Sequence, residues 1–385
     1  MGMRNRVSAR GKEVHMDPRL KKLAKLLVHY SAGMKASDKV FLECDEVATP
    51  WMAAVAEEAL KTGAHVETLI GSEMIGEIRL KHSSEEQLKI GGAIGLLIAQ
   101  TADVVLSAWG SRNTRINSGI PAQKLKYASQ GRKESQRIFM DRMGKGELRW
   151  CGTQYPTEAD AQEANMSLSD YEDFVYGAGL LDSEDPVAEW KRISAEQERW
   201  VGWLDGKSEL HIVAEGTDIR VKVAGRKFMN CDGHVNFPDG EIFTSPVEDG
   251  IDGHITFSFP GIYAGREVEG ICLDVEKGLI VKATATKGED LLHALMDTDE
   301  GAKRFGEVAI GTNYGIKQFT RNMLFDEKIG GTVHMAIGDS MADAGGLNRS
   351  TIHWDMLCDL RTGGRIFADD ILFYENGMFL ENVLA

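Results

Sequence analysis

Between Asp17 and Gly33 the apolar positions of LKKLAKLLVHY recur every three and four residues, which predicts an amphipathic helix. The chain then alternates. DKVFLEC reads as a strand, Thr49-Pro50 as an N-cap with proline at N1, and WMAAVAEEALKTG as a helix closed by Gly63. HVETLIG is the next strand, SSEEQLKIGGAIGLLIAQTA a helix and DVVLSAWG a further strand. Strands alternating with helices predict a parallel sheet with helices on both sides. Between Glu158 and Asp205 the chain is rich in Glu, Asp, Ala and Trp, and EDPVAEWKRISAEQERWVGWL predicts one long helix. Its tryptophans at 190, 200 and 203 cover an apolar seam, as core packing rather than as a binding platform.

Near Gly206 the period changes. ELHIVAEGTDIRVKVAG alternates apolar and polar residues about an EGTD turn, and a second hairpin turns at Glu276-Lys277-Gly278. KGEDLLHALMDTDEGAKRF is helical; GEVAIG, GTVHMAIG, TIHWDML and RIFADDILFYENGMFL are strands. The expected class is therefore α/β: an N-terminal α/β layer domain over 17–206 with a parallel sheet, and a β-rich α+β domain over 207–385. Residues 1–16 are basic and polar and are expected to form a disordered leader, with Met16 a candidate start.

A chain of 385 residues, 43% of them hydrophobic, is long enough for two cores. The formal net charge of −15 argues against nucleic acid or an anionic membrane as partner. The five cysteines are scattered without a C-x-x-C pair, so neither a disulfide framework nor a zinc knuckle is indicated, and reduced, cytoplasmic thiols are expected. No run approaches eighteen apolar residues. The turn after the first strand is DEVATP and lacks G-x-G-x-x-G, which removes the usual dinucleotide signature.

The candidate chemistry gathers in Gly330–Asp355. His353 and Asp355 are two apart on a strand and project to one face, a chelating pair; His334 lies in another β-like run and needs only a neighbouring strand to join them. Glu241, Glu307 and Glu327 sit beside glycines or turn residues at the ends of predicted strands.

PDGEIFTSPVED, TDEGAKRFGEVAIGTN, NMLFDEK, GTVHMAIG and NRSTIHWDM, in that order, resemble the successive motifs of the aminopeptidase T family of metallopeptidases, from about Met16 to the C-terminus. The resemblance implies that Glu241, Glu307, Glu327, His334, His353 and Asp355 are metal ligands, with Glu307 bridging. Four carboxylates in one pocket repel one another unless cations are bound, and two divalent ions cancel them. Mixed carboxylate and imidazole donors suit zinc, cobalt or manganese. The implied activity is removal of N-terminal residues from peptides carrying a free N-terminus, in a homodimer whose second subunit helps close the cleft. Spacing around Glu327 differs slightly from better known members, and Glu327 in the charged run DEK is the weakest of the six.

One departure bears on catalysis. The family carries a tyrosine seven residues after the histidine of HxAxG, at a position that assists catalysis, and Met341 stands there in this chain. Methionine has no proton to donate. Turnover would then be weakened or would depend on another donor such as Lys328 or Arg349. Two alternatives follow: a catalytically weakened metal-binding homologue, or a mononuclear Fe(II) ring-cleaving enzyme like the dihydroxypyridine dioxygenases that the family resembles, needing only His334, His353 and Asp355.

Overall fold

A computed structural model describes residues 17–384; the expected leader over 1–16 lies outside the described residues. The first part of the chain builds a five-stranded, wholly parallel sheet in the spatial order His65–Gly71, Lys39–Asp45, Val104–Trp109, Arg149–Gln154, Asn236–Phe237. Its last strand comes from well beyond Gly206. Alternate residues of Lys39–Asp45 enter different cores. Val40, Leu42 and Cys44 pack with the helices Pro18–Leu26 and Thr49–Lys61, while Phe41 packs with Ile98 and Val105 on the opposite face. The sheet is therefore covered on both sides, as the strand–helix alternation predicts.

The remainder is antiparallel. Eight strands, among them the hairpins Glu209–Ala214/Thr217–Lys222 and Cys272–Glu276/Leu279–Thr284, form one sheet. Five strands in the order His353–Asp359, Thr332–Gly338, Phe305–Gly311, Glu241–Thr244, Met229–Cys231 form another. One apolar cluster joins these two sheets, with Trp200, Val201 and Leu204 of the helix Pro186–Leu204 and Leu291, Leu292 and Leu295 of Glu289–Met296. Trp190 and Trp200 are fully buried, in agreement with the packing role expected of them.

Several local expectations need correction. Thr49 is the first helical residue, not the cap; Ala48 holds the cap position and the Thr49 hydroxyl donates to Glu46 O. The predicted helix over 83–102 is two helices, Glu85–Lys89 and Ala93–Thr101, broken at Ile90-Gly91-Gly92. Glycine costs a helix interior about 1 kcal/mol relative to alanine, so two in succession mark a weak point. Here the weakness serves a close crossing. A Cβ on Gly91 would lie 2.6 Å from Gly131 O, and one on Gly131 2.5 Å from Leu88 O. Gly131 belongs to the helix Ala122–Gly144, whose single buried residue is Ala128; without an apolar stripe it gave no periodic signal to read. The predicted helix over 287–305 ends at Met296 and is followed by one 3-10 turn, Glu300–Lys303.

Gly131→Ala tests the crossing. Intrinsic propensity favours alanine inside a helix by up to about 1 kcal/mol, whereas overpacking against a backbone carbonyl costs about 1 to 3 kcal/mol. The clash should win, and thermal unfolding of the variant should show a lowered midpoint.

Candidate metal centre

Period-two alternation in four adjacent strands creates the site. One face of the five-stranded antiparallel sheet carries Ile242, Val308, Ile310, Val333, Met335, Ile337, Trp354, Met356 and Cys358, all in the apolar cluster between the two antiparallel sheets. The other face carries the polar side chains. Across the strands Glu307 is paired with Ala336 and Ala336 with Asp355, while Ala309 is paired with His334 and Gly311 with Glu241. Small residues thus separate the acidic and imidazole groups, leaving room above the sheet. A slip of one residue would send the apolar set outward. At about 1.5 to 3 kcal/mol for each large apolar side chain kept from water, that face fixes the register and with it the site.

The bulge at the start of Phe305–Gly311 falls between Phe305 and Glu307. It requires Gly306, where a Cβ would lie 2.1 Å from Asp339 O. The same carbonyl accepts a 2.9 Å hydrogen bond from His353 Nδ1–H, which orients the ring and leaves Nε2 free to accept. His353 Nε2 lies 3.4 Å from Asp355 Oδ1 and 3.4 Å from Glu307 Oε2. On the other side of the same carboxylate, His334 Nε2 lies 3.4 Å from Glu307 Oε1 and 3.3 Å from Glu241 Oε2. Glu307 therefore turns one oxygen to each histidine. Two groups of donor atoms with internal separations within 4.8 Å result, Glu241/Glu307/His334 and Glu307/His353/Asp355.

These groups are buried: Glu241, Glu307, His334 and Asp355 are each less than a tenth exposed. Burial, with the repulsion of Glu327 and Glu307 and against the attraction of Lys328 and His334, pushes Glu241 up to about 8. His334 is pushed up to about 9 and His353 to about 10 by the carboxylates around them, in spite of burial. Protons are the cations that such a cluster draws in when no other cation is bound. Glu241 Oε2 and His334 Nδ1 are buried without a hydrogen-bond partner among the described residues. A buried acceptor with nothing to accept from is costly, and a metal ion on the Glu241/Glu307/His334 group would supply Glu241 with the missing partner. The donor set fits divalent ions.

Glu327 is placed differently from the expectation. It caps the four-residue helix Met323–Asp326 instead of ending a strand, it contacts the Lys328 ammonium, and it belongs to neither donor group. It is nevertheless close enough to Asp355 and His334 to exchange charge effects with them, and burial raises its pKa. Met341 begins the 3-10 turn Ala342–Ala344; its N–H donates to Ser245 Oγ, and Ser245 Oγ donates to Met341 O. Since Ser245 directly follows Glu241–Thr244, the backbone of Met341 is tied to the strand that carries Glu241. Its side chain is half-buried.

Two neighbours, Asp239 and Cys231, carry no expectation of a site role from the sequence, and Lys328 is expected only as a substitute donor. Asp239, 2% exposed, accepts from the N–H groups of Gly233 and Gly240, and burial pushes it up to about 6. Cys231, Asp239 and Glu241 make a third group with donor atoms within 4.8 Å. Lys328 has no exposed surface at all. The acid in PDGE, two residues before Glu241, was the one available signal; Cys231 arrives from another strand. Arg349, the other donor considered, spends its guanidinium on the carbonyls of Ser340, Gly346 and Asn348 and on Ser340 Oγ, so it holds the 340–349 loop. A cavity of about 620 Å³ lined by Asn165, Asp170, Phe174 and Lys317 contains none of the six residues, so donor chemistry, not cavity size, singles out the centre.

Comparison with known proteins agrees with this chemistry. Over 312 residues, 76% of each chain, the sequence is 27% identical to aminopeptidase T of Thermus thermophilus. The structure of wild-type AmpT from Thermus thermophilus superposes with a TM-score of 0.83 at 23% identity, covering 94% of this chain and 99% of that one, which shows a common fold. A 2,5-dihydroxypyridine dioxygenase from Pseudomonas putida KT2440 shares the fold more distantly, with a TM-score of 0.55 and 14% identity over 94% of this chain and 96% of that one. The family model of the thermophilic metalloproteases, M29, matches residues 16–379, and the chain belongs to that family.

Proposed function

We propose that the protein removes N-terminal residues from peptides at a centre of two divalent ions held by Glu241, Glu307, Glu327, His334, His353 and Asp355, with Glu307 shared between them. By its family the protein is a hydrolase, a metallopeptidase. The observation that carries the dinuclear reading is the Glu307 carboxylate, whose oxygens lie 3.4 Å from two different histidines. Charge supports the number. Asp239, Glu241, Glu307, Glu327 and Asp355 bring five negative charges and Lys328 one positive, leaving four for two divalent ions to cancel when the histidines are neutral ligands.

When bound, a pair of such ions lowers the pKa of a water and polarises the scissile carbonyl, and zinc, cobalt and manganese all suit this donor set. The protein's own part is orientation and charge. Asp339 O fixes the tautomer and direction of His353, the bulge at Gly306 aims Glu307, and Lys328 holds Glu327. The crowd of carboxylates favours a substrate that enters with a positively charged α-amino group, which makes the enzyme an exopeptidase acting from the N-terminus. The curated relative named aminopeptidase T supports that direction.

The mononuclear Fe(II) alternative is less well supported. It needs two histidines and a carboxylate on one ion. The two donor groups that share Glu307 instead contain one histidine each, and no group found among the described residues unites His334, His353 and Asp355. The proposal extends to a homodimer in the cytoplasm, where five free cysteines would stay reduced. No helix among the described residues is long and apolar enough to cross a membrane.

Elemental analysis of the purified protein should give two divalent ions per chain. Glu307→Ala should lose both, whereas Glu327→Ala should retain more, because the bridging carboxylate serves two charges. A full complement in Glu307→Ala refutes the shared ligand. On peptides, N-acetylation should block cleavage, and equal rates on free and acetylated substrates measured by product chromatography would rule out amino-terminal action.

Met341 sets the expected rate. A hydroxyl donor to the oxyanion is worth roughly a hundredfold to a thousandfold in turnover, and methionine supplies none. Met341→Tyr should therefore raise kcat with KM and metal content nearly unchanged. An unchanged kcat in a folded, fully metallated variant would assign Met341 to packing alone.

A further inference from the structure

The motif TDEGAKRFGEVAIGTN carries Glu307 and the motif NRSTIHWDM carries His353 and Asp355, but the six proposed ligands leave Asp299, Asn348, Ser350 and Thr351 without a part. At one end of the five-stranded sheet these four residues tie the two motifs together. The strands Phe305–Gly311 and His353–Asp359 are not paired with each other; Thr332–Gly338 runs between them. The ladder therefore has to hold Glu307 and His353 across two strand spacings, about 10 Å of backbone. Both stand where that ladder is weakest. Glu307 follows the bulge that begins at Phe305, and His353 is the first residue of its strand, paired with Gly338, the last of the middle one.

Asp299 closes this end of the sheet. It caps the 3-10 turn Glu300–Lys303, which leads into Phe305–Gly311, by accepting from Ala302 N–H at 2.9 Å. The same carboxylate accepts from Ser350 Oγ at 2.7 Å, from Thr351 N–H at 2.8 Å and from Thr351 Oγ1 at 2.9 Å, two residues before His353. Asn348 spans the same gap: its buried amide donates to Gly301 O at 2.9 Å and to Gly338 O at 2.6 Å. Ser350 N–H donates to Asp339 Oδ1, and Asp339 O is the acceptor that orients the His353 ring.

We infer that Asp299 is a positioning residue of the metal centre: it braces the ends of two strands that are not paired with each other, and so holds His353 Nε2 against Glu307 Oε2 at a separation of 3.4 Å. The inference rests on the reading of Glu307, His353 and Asp355 as ligands of one ion. His334, by contrast, lies inside its strand and is paired with Ala309 on one side and Leu357 on the other, so the ladder itself holds it. The brace therefore acts on one ion more than on the other.

The test is native mass spectrometry of the full chain dialysed against graded dipicolinate, with the melting temperature recorded alongside. Asp299→Ala should release one ion at a roughly tenfold lower chelator concentration than the natural protein, the lower end of what losing the contacts behind a metal ligand costs, and should hold the other as before. His353→Ala should lack that same ion, and adding Asp299→Ala to it should leave retention of the remaining ion unchanged. Equal retention in the natural protein and Asp299→Ala, or a further loss from the remaining ion in the double variant, would overturn the brace while leaving the ligands standing. A full complement in His353→Ala would instead overturn the ligand reading, and the brace with it. If Asp299→Ala fails to fold, Ser350→Ala with Thr351→Val decides, because it keeps the Asp299 cap on Ala302 N–H and removes both hydroxyls from the brace. That variant should release the same ion first, and unchanged retention in it would refute the inference.

Discussion

The structure depends on mutual repulsion among buried carboxylates. Asp239, Glu241, Glu307 and Asp355 are each less than a tenth exposed, and they lie with Glu327 around two histidines and one lysine. Desolvation of an unpaired carboxylate costs several kcal/mol, so the cluster exists because cations belong to it. One of these is covalent, the Lys328 ammonium. The upward pressure on Glu241 and on both histidines is the same constraint expressed through protons.

What permits such a cluster is the apolar face beneath it. Trp354, Met356, Val333, Met335, Ile337, Val308 and Ile310 lock three strands into register on the side facing the other antiparallel sheet. Stability and function are thereby divided between two faces of one sheet. Leu357, on the same face as Asp355, packs instead into the cluster built on the parallel sheet, together with Phe325 and Ile329. The polar face thus looks toward the first half of the chain, and the loop carrying Glu327 and Lys328 lies where the two parts meet.

The fold also shows why shared architecture leaves the reaction open. A dioxygenase and an aminopeptidase have chains that superpose on this one. The proposal made above rests instead on side chains: the two donor groups that share Glu307 hold one histidine each.

The sequence by itself determined the elements whose periodicity is set by burial. The alternating strands and helices of the first part, the hairpins at Glu215-Gly216 and Lys277-Gly278, and the pairing of His353 with Asp355 on one face all follow from local pattern, because a strand repeats every two residues whatever surrounds it. Ordered motifs supplied the candidate ligands and the family. Tertiary structure decided what depends on distant neighbours. The helix break at Gly91-Gly92 comes from a crossing with Gly131, and the capping position of Glu327 from a four-residue helix too short to show a period. Cys231 and Lys328 lie near Glu241 because two separate segments fold against it; no spacing along the chain encodes a contact made only when elements from different parts are laid side by side.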